Sequence, residues 1–147
     1  VQDKEIKQDF LHLCQDEVTP LAHLEWEESG HPTEPLCINW DAYDALEDMG
    51  MLKFFTVRCN KDLVGYCVVI LGQPFTMKGV DVGYLDALYV SKEHRGIGKE
   101  LITFVEKCLK EDGIQKVIAS SSVKNPVGKF LDRLGYKEVE TKYERNL

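Results

Sequence analysis

The sequence predicts a mixed α/β (α+β) fold, and three observations carry that prediction. Apolar residues recur at helical spacing through roughly the first fifty positions, where the period is near 3.6. From Met51 onward the period shortens to two, and β-branched and aromatic residues become frequent. Beyond Val90, helical and extended patterns alternate to the end of the chain. At 147 residues with 44% apolar and 29% charged side chains, one globular domain with a real core is expected.

The elements follow in order. "VQDKEIKQDFLHLCQ" reads as a helix through Ile6, Phe10, Leu11, Leu13 and Cys14, with Asp3 as its cap and Pro20 ending or bending it. "ESGHPTEP" (28–35) is a loop, and "NWDAYDALEDMG" a short helix stopped by Gly50. "MLKFFTVRC" and "LVGYCVVIL" are strands joined through "NKD", "GQPFTMKG" is a loop, and "VGYLDALYV" a third strand. A helix then runs from Gly98 to Asp112, with Leu101, Ile102, Val105, Cys108 and Leu109 on one stripe and Gly113 closing it. "IQKVIASSS" is a strand, and "NPVGKFLDRLG" a helix with Asn125 as cap, Pro126 at its first position and Gly135 beyond its end. "YKEVETKYE" alternates as a last strand, with Val139, Thr141 and Tyr143 on one face.

Composition narrows the function. No apolar run approaches the ~20 residues of a membrane span, and no secretory signal pattern opens the chain. The five cysteines, Cys14, Cys37, Cys59, Cys67 and Cys108, are scattered without a CxxC pair, which fits a reducing cytoplasm rather than a disulfide framework. The four histidines form neither HxxxH nor HExxH, so no metal is expected. The net charge of −7 is uneven: residues 1–50 hold 13 Asp/Glu against 2 Lys/Arg, and residues 51–147 hold 12 against 16. An acidic first third repels nucleic-acid backbones and attracts cations, or is simply a solvated face.

The most informative stretch is "HRGIGKE", at the junction of a strand and a helix. A helix N-terminus offers unpaired N–H groups and the positive end of a dipole, and glycines beside it let a phosphate reach the backbone. Gly96 and Gly98 suit that purpose, flanked by Arg95 and Lys99, although many strand-to-helix turns use glycine for geometry alone. Neither G-x-G-x-x-G with its later acidic residue nor GxxxxGK[ST] is present.

"YLDALYVSKEHRGIGKELITFVEKCLKEDGIQKVIASSSVKNPVGKFLDRLGYKEV" resembles the core of the GNAT (GCN5-related N-acetyltransferase) superfamily. In that family a [QR]-x-x-G-x-[GA] loop after the fourth strand holds the acetyl-CoA pyrophosphate on backbone amides, and the pantetheine arm pairs along a splayed strand. Gly96 and Gly98 match the two motif glycines, and "NPVGKFLDRLGY" is similar to the family's N-x-x-A-x-x-x-Y-x-x-x-G-F helix. The resemblance covers residues 51–147 and implies a V-splayed, mostly antiparallel sheet with helices on both faces. It implies one N-acetyltransferase domain over residues 1–147, acetyl-CoA as acetyl donor, and a homodimer as one option for its assembly. The forms with "FL" in place of "FY" are similar to GNAT-like proteins of tailed phages.

The sequence departs from the family pattern in three places. Glu93 occupies the usual first motif position, with Arg95 two residues on as substitute cation, and the interval from Val90 to Gly96 is shorter than usual. Leu131 stands where the family often carries the tyrosine that protonates the CoA thiolate, and the Asn125–Gly135 interval is one residue short. The family's first strand should precede the "VQDKEI" helix, so it is expected to be absent or trimmed.

By resemblance, the donor is held by Leu88, Tyr89, Val90, Arg95, Gly96, Ile97, Gly98 and Lys99, with Asn125 and Lys129 as further contacts. A backbone N–H around Tyr89–Val90 would stabilise the oxyanion. Asp86, an ionisable group in an apolar strand, is the candidate base, or else the partner of a lysine or a backbone donor. Tyr136, Tyr143, Ser120, Ser121 or water could protonate the thiolate; Tyr136 and Tyr89 could equally be core residues, and His94 a phosphate contact or a surface residue. Trp26 and Trp40, near Glu25, Glu27, Glu28 and Asp41, either pack in the core or line a pocket for a cationic amine. The expected activity is direct acetyl transfer to a primary amine, on a small molecule or a protein, with no nucleic-acid or membrane partner. The rival readings are a catalytically silent CoA-binding or partner-binding module and a non-acetyl acyltransferase.

Overall fold

The computed structural model describes residues 3–30 and 34–147. Its elements are β1 (Lys4–Asp9), α1 (Gln15–Glu28), α2 (Trp40–Asp48), β2 (Leu52–Cys59), β3 (Asp62–Gly72), β4 (Val82–Val90), α3 (Gly98–Glu111), β5 (Lys116–Ile118) and α4 (Gly128–Arg133), with 3-10 turns at Leu11–Leu13 and Lys92–Ile97. The sheet runs β1-β2-β3-β4-β5, antiparallel except for the parallel β4–β5 pair.

Period-two alternation along β2, β3 and β4 divides the core into two layers. Phe55, Val57, Cys67, Val69 and Val90 point to one face and pack on Leu101, Val105 and Leu109 of α3. Phe54, Tyr66, Val68 and Tyr89 point to the other, against Leu11, Cys14 and Val18 and the α2 residues Trp40, Tyr43 and Leu46. Helices therefore cover both faces, as expected. The β2–β3 hairpin turns through Asn60 and Lys61 at φ 51° and 73°, the left-handed conformation that a two-residue hairpin requires.

Two local irregularities shape β4. Its register with β3 slips between Val68↔Ala87 and Val69↔Leu85, which leaves Asp86 as the extra residue of a bulge. Its pairing with β5 covers only Val82, Gly83 and Tyr84, so the sheet splays open beyond that point. The Ser91 N–H donates to Val64 O on β3. By alternation, the backbone groups of Val90 and Leu88 point away from β3 into the splay, where the Val90 carbonyl accepts from Arg95 Nε at 2.6 Å.

Several expectations are overturned. The segment expected as the first helix is strand β1, paired with β2 through Lys4↔Cys59 to Asp9↔Phe54, and helix begins only at Gln15. Ile6 alone supplies a partly buried apolar contact there, which suits an edge strand better than a helix face. A leading strand is thus present where one was expected to be missing. Asp3 caps no helix; its N–H donates to Asn60 Oδ1 beside the hairpin. Pro20 does not end α1 but lies inside it, where its missing N–H forfeits one interior hydrogen bond. Asn125 and Pro126 precede α4, whose N-cap is Val127. The expected last strand is not a strand: among the described residues, 137–147 have no ladder partner, and Val139 and Tyr143 are exposed. Part of the 28–35 loop, with His31, lies outside the described residues. Among the described residues, no helix is long and apolar enough to cross a membrane.

Candidate active site

The inward stripe of α1 runs Cys14, Val18, Ala22, Glu25 and Ser29, at helical spacing, so a carboxylate lies where a core residue would continue the pattern. Glu25 lines a cavity of about 270 Å³ together with Trp26, Trp40, Tyr43, Tyr66 and Asp86. Three acidic groups at this end of the sheet are each held by a tyrosine. Tyr66 donates to Glu25 at 3.1 Å, Tyr43 to Asp86 at 2.6 Å, and Tyr89 to Glu28 at 3.0 Å. Burial raises the pKa of Glu25 above the ordinary carboxylate range; the Tyr66 hydrogen bond opposes this, and the charges of Asp86 and Glu28 add to it. Burial likewise raises the Tyr66 and Tyr43 hydroxyls, and their carboxylate partners raise them further, so both stay protonated donors.

The glycine turn lies at the other side of β4. Lys92–Ile97 is a 3-10 turn that runs directly into α3, with the Gly98 N–H bonded to Arg95 O. Neither motif glycine has a positive φ. A Cβ at Gly96 would meet nothing within 4 Å, and one at Gly98 would make only ordinary contact, 3.6 Å, with Phe130. The turn therefore does not need glycine for its own geometry. Gly96 leaves a bare stretch of backbone at a helix start, a cradle that side chains would fill, and this is the property a diphosphate requires.

The expected site residues fall into separate groups. Asp86 and Tyr89 face α1 and α2, although Tyr89 is 5% exposed and packs its ring 6.4 Å from that of Tyr66. Leu88 and Val90 turn their side chains to the α3 layer and their backbone to the splay. Ile97 caps α3, with Gly98 buried behind it and Lys99 exposed. Arg95 is half-exposed, and its guanidinium is paired: Nη2 donates to Glu28 at 2.6 Å. Lys129 is exposed on α4, and Asn125 is half-buried just before it. Tyr136 is separated from the cavity: its hydroxyl donates to Glu106 of α3 at 2.9 Å, on the opposite layer. His94 Nδ1 lies 3.0 Å from Ser91 Oγ. Trp26 and Trp40 both line the cavity, whereas Glu27 and Asp41 do not. Among the described residues, no cluster of His, Cys, Asp or Glu is placed to hold a metal ion.

Sequence reasoning missed the tyrosine partners and the Glu28–Arg95 pair. The carboxylate on the inward stripe of α1 was the available signal for Glu25. It also missed Lys124, whose Nζ donates to Gly30 O at 3.1 Å and ties the β5–α4 loop to the end of α1.

Solved structures share this architecture. An aminoglycoside acetyltransferase from an uncultured soil metagenomic sample, in complex with sisomicin, superposes with a TM-score of 0.74 at 16% identity, covering 98% of this chain and 96% of that one. A predicted acetyltransferase with acetyl-CoA from Clostridium acetobutylicum gives 0.75 at 16%, over 98% and 96%. A ribosomal-protein-alanine N-acetyltransferase from Brucella melitensis biovar Abortus 2308 gives 0.72 at 22%, over 99% of each chain. At such identities the likeness shows the fold alone. No curated protein matches the sequence. The family itself follows from the sequence, which matches the acetyltransferase (GNAT) family over residues 15–136, from the start of α1 to just beyond α4. This chain belongs to the GNAT acetyltransferase family, and its chemistry is acyl transfer.

Proposed function

We propose that the chain is an acetyl-CoA-dependent N-acetyltransferase, a single domain over residues 1–147, that passes acetyl directly to a primary amine of a cationic acceptor. One observation carries the reading. β4 supplies a wall of the acidic, aromatic cavity at Asp86 and Ala87, and directly after them, at Leu88 and Val90, it turns backbone that β3 does not pair into the splay. A cation pocket and a donor groove thus share one strand.

The residues suit the parts assigned to them. Acetyl-CoA, when bound, supplies an acyl carbon activated as a thioester. The backbone of Gly96, Ile97 and Gly98, with Arg95 and Lys99, would hold its diphosphate, and Lys129 and Asn125 lie on the neighbouring segment. The outward N–H of Val90 is the donor that would meet charge developing on the acyl oxygen. Trp26, Trp40, Tyr43 and Tyr66 line the cavity with aromatic rings, and Glu25 and Asp86 with carboxyl groups, a lining that suits an ammonium group. Asp86, the base expected from the sequence, already accepts from Tyr43 and would orient that group. Glu25, in the cavity wall and with its proton affinity raised by burial, would accept the proton instead. At about 270 Å³ the cavity admits the amine-bearing end of an acceptor rather than a large molecule whole. The five free cysteines support a reducing, cytoplasmic setting.

Calorimetry of acetyl-CoA binding to the wild type and to Gly96→Glu/Gly98→Glu tests the donor half. Binding that the double substitution abolishes supports it, and a folded wild type that does not bind ends it. Thiol release with a panel of polyamines, aminoglycosides and lysine peptides tests the acceptor half. A second reading, a silent CoA-binding or partner-binding module, is favoured by one residue. Leu131 is buried at 8% exposure and offers no proton to a leaving thiolate. Tight binding without thiol release for any amine would select that reading.

A further inference from the structure

Glu28 is the last residue of α1, and both of its carboxylate oxygens are engaged. Oε1 accepts from the Tyr89 hydroxyl at 3.0 Å and Oε2 from Arg95 Nη2 at 2.6 Å, with Lys92 Nζ 4.0 Å away. Arg95 belongs to the glycine turn, yet it is folded back across the mouth of the splay. Its Nε donates to Val90 O at 2.6 Å, and its guanidinium lies 5.5 Å from the centre of the Tyr89 ring. The cation nearest the bare backbone of Gly96 is therefore already paired with a helix on the acceptor side. Glu28 also lies one turn from Glu25, at a spacing that puts both on one side of the helix.

Resting on the acetyl-CoA reading above, we propose that Glu28 is a positioning residue that couples the donor turn to the acceptor cavity through Arg95. With no donor present, Glu28 holds the guanidinium. A diphosphate at the glycine turn and the Glu28 carboxylate then compete for one cation, because two anions on the same guanidinium repel each other. Once Arg95 moves towards the diphosphate, Glu28 loses its guanidinium partner and keeps only the exposed Lys92, at 4.0 Å, to offset its charge beside Glu25. The cavity becomes more negative, and a cationic acceptor is held more strongly after the donor than before it. No covalent step is involved.

The test is a double-mutant cycle read by calorimetry with CoA, and repeated with inorganic pyrophosphate. Glu28→Gln keeps an acceptor for Tyr89 and removes the charge. It should bind CoA roughly three- to tenfold more tightly than the wild type, the span expected for releasing a half-exposed ion pair. Arg95→Gln should bind more weakly, and adding Glu28→Gln to it should change nothing further. Pyrophosphate should rank the four proteins in the same order. If the wild type binds CoA and Glu28→Gln binds it equally or less well, the coupling is wrong while the donor reading stands. The coupling fails in the same way if Glu28→Gln has an equal effect with and without Arg95. A folded wild type that binds neither probe removes both.

Discussion

The two faces of the β2–β3–β4 sheet are built from alternating residues of the same strands, yet they hold different contents. Towards α3 lie Phe55, Val57, Cys67, Val69, Leu101, Val105 and Leu109, all almost inaccessible and none charged. Towards α1 and α2 the neighbouring positions are Phe54, Thr56, Tyr66 and Tyr89, and three carboxylates stand against them, each held by a tyrosine. One layer is closed and apolar, and the other surrenders part of its core to a cavity and to charge. On the proposed function, stability belongs to one face and binding to the other, and substitutions that separate the two properties test that division.

The largest effect belongs to the closed face. Phe55 is 0% exposed and meets Phe104 of α3 edge-on, with centroids 6.2 Å apart. Phe55→Ala should lower the unfolding free energy by about 3–5 kcal/mol, measured by urea denaturation. A loss under ~1 kcal/mol would mean the layer can collapse around the gap and is not the rigid half.

Glu25 is the opposite case. Glu25→Gln retains an acceptor for Tyr66 and removes the charge, so kcat/KM for a cationic amine should fall about thirtyfold, close to 2 kcal/mol. Stability should show the reverse. Folded Glu25 keeps its proton to higher pH than unfolded Glu25, so between those two pKa values the native state binds more protons. Wild-type stability therefore falls as pH rises through a window just above the ordinary carboxylate range. Glu17 and Glu47 have lowered pKa values and act oppositely, with stability rising with pH in a window below that range. The Gln variant should lack the upper fall alone, and denaturation midpoints across pH check this. An unchanged upper limb would assign the raised proton affinity to another group.

The same contrast explains how much was legible in the sequence. α3 could be read residue by residue because its stripe is uninterrupted and Gly113, at φ 84°, ends it. Strands β2 to β4 were legible because both of their faces are buried. β1 was misread: only Ile6 turns inward, and Phe10, in the connection after it, falls at helical spacing from Ile6 by coincidence. The tail after Tyr136 was misread for the converse reason. It alternates cleanly, but alternation does not supply a strand to pair with, and β5 is only three residues long. In the candidate site, the glycine turn is a local pattern that the sequence displays directly. The Tyr66–Glu25 and Arg95–Glu28 pairs join residues 41 and 67 positions apart, a separation that no local pattern encodes.

A smaller effect sharpens the comparison within the binding face. Thr56 is fully buried, and among the described residues its Oγ1 has no hydrogen-bond partner. It lies on the strand face that carries Phe54, so even the packed part of this layer holds an unmet polar group. Thr56→Val preserves the shape and removes the hydroxyl, and should raise stability by about 1 kcal/mol. A higher Tm checks this. A lower Tm would show that the hydroxyl is satisfied in solution and that the two layers differ less than their contents suggest.

The smallest expected change in stability is at the glycine turn, and for that reason it is the most discriminating. Gly96 has no positive φ, and nothing lies within 4 Å of an added Cβ. Alanine also loses less conformational freedom on folding, so Gly96→Ala should leave the unfolding free energy unchanged or raise it by a few tenths of a kcal/mol. If the glycine serves only the fold, acetyl-CoA affinity should not respond either. If it exists to let a diphosphate reach the backbone, one methyl group there should weaken binding severalfold while the protein becomes no less stable. Stability and affinity moving in opposite directions at a position with empty space around it would be the signature of a residue kept for a ligand rather than for the turn.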